Sequence, residues 1–259
     1  MKIKGIIFDF GFTLFSFENP SIEKYSDCFK RGLLKSIDLL KHKKVLEEED
    51  KLVNDFINIF NRKRASSFRS AMKTKEEFPT SSIFKTVLTV LKEKGYNINE
   101  DRIEKEFLEE MAEIYHSCEE EEWKPFNETQ TTLEALSNFS DLKIGLLSNH
   151  PNHKTIKNLL ENNNLKHYFD VIITSAKFGK RKPNPDIFLH TLNEMGLEKH
   201  DAKNCIMVGD EAADVVGANR VGMQLILKER DYEFPYEREI TTPNVIKIKS
   251  IHEVLNYIS

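Results

Sequence analysis

The chain opens on a short apolar run, Ile3, Ile6, Ile7 and Phe8, that stops at Asp9. A run without polar alternation predicts a strand buried on both faces of a parallel sheet. The pattern changes at about Pro20. From there to Glu122 the apolar residues recur at helical spacing: Ile22, Tyr25, Phe29, Leu33, Ile37 and Leu40 form one stripe, and Leu52, Phe56, Ile59 and Phe60 a second. Ile83, Val87, Leu88 and Leu91 make a third, and Ile103, Phe107, Met111 and Ile114 a fourth. No strand pattern interrupts this stretch and Pro79 is its only internal proline, so it reads as a helical bundle. Beyond the acidic run Glu119–Glu122, expected to be a solvated helix end or hinge, Pro125 marks a return to alternating elements. Strand candidates are Leu142–Leu147, Val171–Thr174, Cys205–Val208 and Gln224–Leu227, separated by helical or loop segments as in βαβ units. The expected fold is α/β: a doubly wound, Rossmann-like parallel sheet built from residues 1–15 and 124–259, with an inserted α-helical domain at 16–123.

Composition narrows the classes. Hydrophobic residues at 39% and charged residues at 31% suit a soluble globular protein. A net charge of −4 supplies no basic field, so neither nucleic acid nor an anionic membrane is an expected partner. No segment approaches the ~20 apolar residues that span a bilayer. The N-terminal run meets Asp9 too early for a signal-peptide core, which sets the expected location as cytoplasmic. Asn127 and Asn138 then read as chance glycosylation triplets. Cys28, Cys118 and Cys205 are odd in number, far apart and in no metal-ligand spacing, so reduced thiols are expected.

The polar residues of interest follow the strand candidates. Asp9 ends the first, with Gly11 and Thr13 behind it in IIFDFGFTLF; Ser148 and Asn149 end the second. The loop GKRKPNPDIF carries Lys182, and Asp210 and Asp214 lie in IMVGDEAADVVGA. Open α/β sheets bind ligands at the carboxyl ends of their strands. A carboxylate left there is costly unless a cation or donors meet it. Two acidic strand ends, a hydroxyl and a lysine together suit a Mg²⁺ ion and a phosphate. Plainer roles stand beside these. Asp9 with Thr13 suits a turn cap, Asp214 a helix cap, and Ser148-Asn149-His150-Pro151 a helix start with Pro151 at the first helical position. Lys180 and Arg181 are alternative bases to Lys182, and Arg69, Lys73 and Lys75 suit a solvated basic turn between two helices.

In this order and after these strands, the four segments resemble the four motifs of the haloacid dehalogenase superfamily, and the helical insertion resembles the cap of its capped members. The resemblance implies a phosphatase. Asp9 is then the nucleophile, forming an aspartyl-phosphate that water hydrolyses. Mg²⁺ is held by Asp9, Asp210 and the backbone carbonyl of Gly11. Thr13, Ser148, Asn149 and Lys182 bind the phosphoryl group of a small phosphorylated substrate, and Asp214 orients Lys182 or a metal-bound water.

One position departs from the pattern. Most phosphatases of this superfamily carry a second aspartate two residues after the nucleophile, where this chain has Gly11. Glycine preserves a carbonyl ligand but supplies no proton, and general acid–base catalysis is worth ~10²–10⁴-fold. His150 and Glu211, each beside a motif residue, are candidate substitutes. Two other readings accompany the phosphatase: a phosphometabolite-binding protein without turnover, and a metal-free 2-haloacid dehalogenase, whose leaving halide needs no proton.

Overall fold

A computed structural model describes residues 2–46, 49–230, 232, 240, 242 and 245–258. The chain divides into two compact units, residues 1–19 with 123–259, and residues 20–122. Among the described residues no helix is long and apolar enough to cross a membrane.

The first unit is built on strands β1 (Gly5–Phe8), β2 (Phe15–Phe17), β3 (Trp123–Pro125), β4 (Lys143–Ser148), β5 (Val171–Thr174), β6 (Cys205–Gly209), β7 (Gln224–Lys228) and β8 (Ile246–Ile248). Six of them form a sheet of order β5-β4-β1-β6-β7-β8, and every neighbouring pair is parallel. Counted along the chain this is the order 3-2-1-4-5-6 of a doubly wound sheet, with a switch point beside the first strand. All four residues of β1 are buried, which is why its sequence lacks alternation. The register sets Phe8 opposite Leu146 on one side and Val208 on the other. Asp9, Ser148 and Asp210 therefore emerge along one edge. Ile7, Leu147, Ile173, Phe188, Met207 and Ala218 belong to one buried cluster of this unit. β8 and the antiparallel pair β2–β3 lie outside the strand candidates of the sequence; each has three residues, too short for periodicity to register.

The second unit consists of helices α1 (Ile22–His42), α2 (Asp50–Thr74), α3 (Thr80–Glu93) and α4 (Lys105–Glu122). Its core joins Leu33, Ile37 and Leu40 to Phe56 and Phe60, Phe84, Val87 and Leu91, and Met111 and Tyr115. Two stripes differ in detail from the periodicity. Ile22, the first residue of α1, is exposed, and α4 buries Leu108, Met111, Tyr115 and Cys118 rather than Phe107 and Ile114. α1 and α4 run antiparallel: Ser36 Oγ donates to Met111 O at 3.1 Å, and a Cβ added to Gly32 would lie 1.9 Å from Tyr115 O. Only glycine permits that approach.

Three expectations are corrected here. Cys28 and Cys118 are not reduced thiols but form a disulfide across α1 and α4, because antiparallel packing brings together positions 90 residues apart; Cys205 alone is free and buried. The acidic run does end a helix, α4, and Glu121 is exposed, but it is only partly solvated: Glu119 is buried against His116, and Glu122 pairs with Lys24 at 2.8 Å and Arg31 at 2.9 Å. Arg69 and Lys73 do not sit in a turn, since α2 extends through Thr74 and Lys75 caps it.

The remaining helices, α5 (Thr129–Ser137), α6 (His153–Asn162), α7 (Ser175–Phe178), α8 (Pro185–Glu194) and α9 (Ala212–Val221), belong to the first unit. Local signals start each of the three that frame the strand ends. The Asn152 side chain caps α6 by accepting from Thr155 N at 3.0 Å, Pro185 follows the Asn184 cap of α8, and a Glu211–Asp214 capping box opens α9. Pro151 thus precedes the helix instead of standing in its first turn.

Candidate active site

Four chain segments meet where β1, β4 and β6 end. Asp9 leaves β1 with its amide donating to Val208 O at 2.9 Å, which ties the start of the loop to β6. Lys182, buried to 2% exposure, comes from the loop between α7 and α8 and reaches into the cluster. Its Nζ lies 2.6 Å from Asp9 Oδ1 and 2.7 Å from Asp214 Oδ1, and donates to Leu147 O at 3.1 Å. Lys182 thus stands as the base in the cluster, while Lys180 pairs with Asp186 at 2.6 Å. Asp214 both contacts Lys182 and caps a helix: its Oδ2 accepts from Glu211 N at 3.2 Å and closes the capping box.

Asp210 ends β6 with both oxygens engaged. Thr13 Oγ1 donates to Oδ1 at 3.0 Å and Arg230 Nη1 to Oδ2 at 2.6 Å. Ser148 is buried at the last position of β4. The carboxamide of Asn149, expected to face a phosphate, clamps the lysine loop: Oδ1 accepts from Lys182 N at 2.8 Å and Nδ2 donates to Lys182 O at 3.2 Å. His150 Nδ1 lies 2.7 Å from Asn152 O.

Gly11 packs under an aromatic wall. A Cβ there would meet Trp123 Cη2 at 3.0 Å, and the same indole makes edge contacts with Phe10, Phe12 and Phe17. The left-handed residue of this loop is Phe12, at φ 55°, and not Gly11. Glycine at 11 answers to the indole rather than to backbone conformation.

Trp123 and Arg230 are the two neighbours of the site that the sequence reading leaves out. Arg230 follows the end of β7 as the other polar groups follow theirs, and that shared placement is the signal that marks it. Trp123 has no such signal. It lies more than a hundred residues from Gly11, and only the β2–β3 pairing brings it back.

The electrostatics are dominated by burial. Desolvation pushes Asp214 up to about 7 against the pull of Lys182, with Asp9 and Glu211 adding repulsion. Asp210 is held well above the ordinary carboxylate value by burial and then by Asp9 and Asp214, while Arg230 opposes. Glu211 is raised first by burial as well. Burial works against the charge of Lys182, but Asp214 and Asp9 hold its pKa above that of a free lysine. Three buried carboxylates thus face two cations. One oxygen from each of Asp9, Asp210 and Asp214 lies within 4.8 Å of the others, an all-oxygen donor set of the kind a hard divalent cation takes.

A family profile described as haloacid dehalogenase-like hydrolase matches residues 6–228. The chain belongs to this family. Among curated relatives, it is 33% identical over 127 residues to a phosphoglycolate phosphatase of Aquifex aeolicus (strain VF5), covering 49% of this chain and 57% of that protein. It is 29% identical over 141 residues to a glyceraldehyde 3-phosphate phosphatase of Methanothermobacter thermautotrophicus (strain ATCC 29096 / DSM 1053 / JCM 10044 / NBRC 100330 / Delta H), covering 54% and 60%. The chain therefore spans somewhat over half the length of these two relatives. Among solved structures, a 2-haloacid dehalogenase from Pseudomonas syringae pv. Tomato DC3000 shares the fold at a TM-score of 0.63 and 20% identity, covering 98% of this chain and 97% of that one.

Proposed function

We propose that this haloacid dehalogenase-like protein is a Mg²⁺-dependent phosphatase of a small phosphorylated metabolite, acting through Asp9. The observation that carries the reading is the convergence of Asp9 and Asp210 after β1 and β6, Lys182 from the α7–α8 loop and Asp214 from the first turn of α9. The named phosphatases among the relatives support it. Residues 20–122, inserted after the first strand, are read as the cap domain of this family.

In this mechanism a carboxylate oxygen of Asp9 bonds to phosphorus. The phosphorus–oxygen ester bond breaks, and its electron pair leaves on the departing oxygen. Water then attacks phosphorus, releases inorganic phosphate and restores the Asp9 carboxylate. Lys182 orients Asp9 by holding Oδ1 and offers positive charge to the transferring oxygens, with Ser148 as a second donor. Asp214 and the Asn149 clamp keep Lys182 in place. Asp9, Asp210 and the Gly11 carbonyl would hold Mg²⁺, which supplies charge neutralisation so that an anionic nucleophile meets an anionic ester.

Position 11 holds no acid, and the Trp123 ring occupies the space that a side chain there would enter. The leaving group accordingly departs with little help from this loop. Aryl phosphates, acyl phosphates and anhydrides are the preferred classes, and simple alkyl phosphates are poor substrates.

A phosphate-release screen over these classes, run with Mg²⁺ and with chelator, tests the reading. The expected result is release that disappears with chelator and returns with Mg²⁺. Full activity in chelator, with halide freed from a 2-haloacid, would replace it by the dehalogenase. No turnover of any ester, with phosphate or a phosphate ester still bound, would replace it by a binding protein.

A further inference from the structure

Arg230 has no place in the mechanism above, yet it makes one of the short buried ion pairs of the site. Its Nη1 lies 2.6 Å from Asp210 Oδ2, with the two side chains 11% and 3% exposed. The other oxygen of Asp210 already accepts from Thr13. Both oxygens of a carboxylate assigned to a metal are thus engaged, and one partner is itself a cation.

A guanidinium and a divalent cation do not share a buried carboxylate cheaply. Two positive groups a few ångströms apart repel strongly where the effective dielectric is well below that of water. The hydroxyl of Thr13 is neutral and leaves the same oxygen able to accept a second contact. Arg230 is the group that conflicts with the metal. It is also placed to yield, because it stands two residues past the end of β7 and not within a strand. Its guanidinium lies over the Phe12 ring, 5.3 Å from the centroid, a cation–π contact that does not depend on Asp210.

We propose that Arg230 is the internal counter-cation of Asp210, holding this carboxylate in the metal-free protein and exchanging with Mg²⁺ when the metal binds. This rests on the proposal that Asp210 is a metal ligand. Arg230 is accordingly a positioning residue. It keeps Asp210 aligned between metal-bound states, and it lowers the affinity for Mg²⁺ by competing for the same oxygen.

The test measures metal binding directly, by isothermal titration of Mg²⁺ and by the electron paramagnetic resonance of added Mn²⁺. The proteins are the wild type, Arg230→Gln, Arg230→Lys and Asp210→Asn. Arg230→Gln is expected to bind Mg²⁺ about tenfold more tightly, which corresponds to about 1.4 kcal/mol. Without metal it should melt below the wild type, since a buried carboxylate has lost its partner, and saturating Mg²⁺ should close that gap. Arg230→Lys keeps a charge but not the planar fork, and should fall between the two. It decides the matter should Arg230→Gln not fold. Unchanged or weaker Mg²⁺ binding in the Arg230 variants, with binding still lost in Asp210→Asn, would overturn the inference and leave the metal site standing. Absence of binding in the wild type and in both Arg230 variants would overturn the metal site, and the inference with it.

Discussion

The two units bury polar groups in different ways. In the helical unit Thr80, His116 and Glu119 form a hydrogen-bonded chain: Thr80 Oγ1 lies 2.7 Å from His116 Nε2, and His116 Nδ1 meets Glu119. This chain is set among apolar stripes and a disulfide that ties α1 to α4. At the strand ends of the α/β unit the buried polar groups are mostly charged, they come from four separate segments, and among the described residues the carboxylates Asp9, Asp210 and Asp214 outnumber Lys182 and Arg230, which pair with them. A parallel sheet with a switch point delivers several strand ends to one place, whereas a helical bundle spreads its polar residues along helix faces. Excess buried carboxylate is relieved by raised pKa values, as at Asp210 and Asp214, or by a bound cation. The comparison assigns chemistry to one unit and packing to the other, and each half of that division can be tested.

The largest expected effect is on turnover. Asp9→Asn keeps size and hydrogen bonding but cannot attack phosphorus, so kcat should fall by about 10⁴-fold or more, as loss of a nucleophile does elsewhere. Its circular dichroism should match that of the wild type. Residual turnover near the wild-type rate in a carefully purified preparation would remove the chemistry from this strand end.

Next is a packing effect in the helical unit. Gly32→Ala should gain up to about 1 kcal/mol of helix propensity. It must also fit a Cβ 1.9 Å from the Tyr115 carbonyl oxygen, and neither helix backbone can yield cheaply. Overpacking of this kind costs about 1–3 kcal/mol, so the net change in urea denaturation should be destabilising. A variant as stable as the wild type would show that the α1–α4 contact is loose.

The smallest effect sharpens the comparison inside the site. Gly11→Asp supplies the carboxylate that other members of the superfamily use, but its Cβ would press on Trp123 Cη2 at 3.0 Å. Alone it should change kcat/KM for poor leaving groups by no more than a few-fold. Combined with Trp123→Leu, which opens the space, it should approach the ~10²-fold of a positioned acid. The dependence of kcat/KM on leaving-group pKa in the three proteins is the measurement. A full gain from Gly11→Asp by itself would show that the indole does not control this position.

The strands and the order of the site segments were legible because each buried strand is an apolar run that ends on a polar residue. Asp9, Ser148 and Asp210 were found by position alone. The helices were equally visible, since 3.6-residue periodicity accumulates over several turns. Three-residue strands carry no such accumulation, and β2, β3 and β8 went unseen. The stripe of α4 was placed one residue out of true because Phe107 and Leu108 are both apolar, and only packing chose between them.

What the amino-acid sequence determined by itself was therefore local: where the chain is strand or helix, where strands stop, and which side chains wait at those stops. Tertiary structure decided everything that depends on residues far apart in the chain. It joined Cys28 to Cys118, took Glu119 and Glu122 out of solvent, set Trp123 against Gly11 and brought Arg230 to Asp210. The reason is physical. Periodicity and capping act over one or two turns of chain, whereas ion pairs, close helix contacts and buried charge depend on which surfaces the fold brings together, and no local pattern records that.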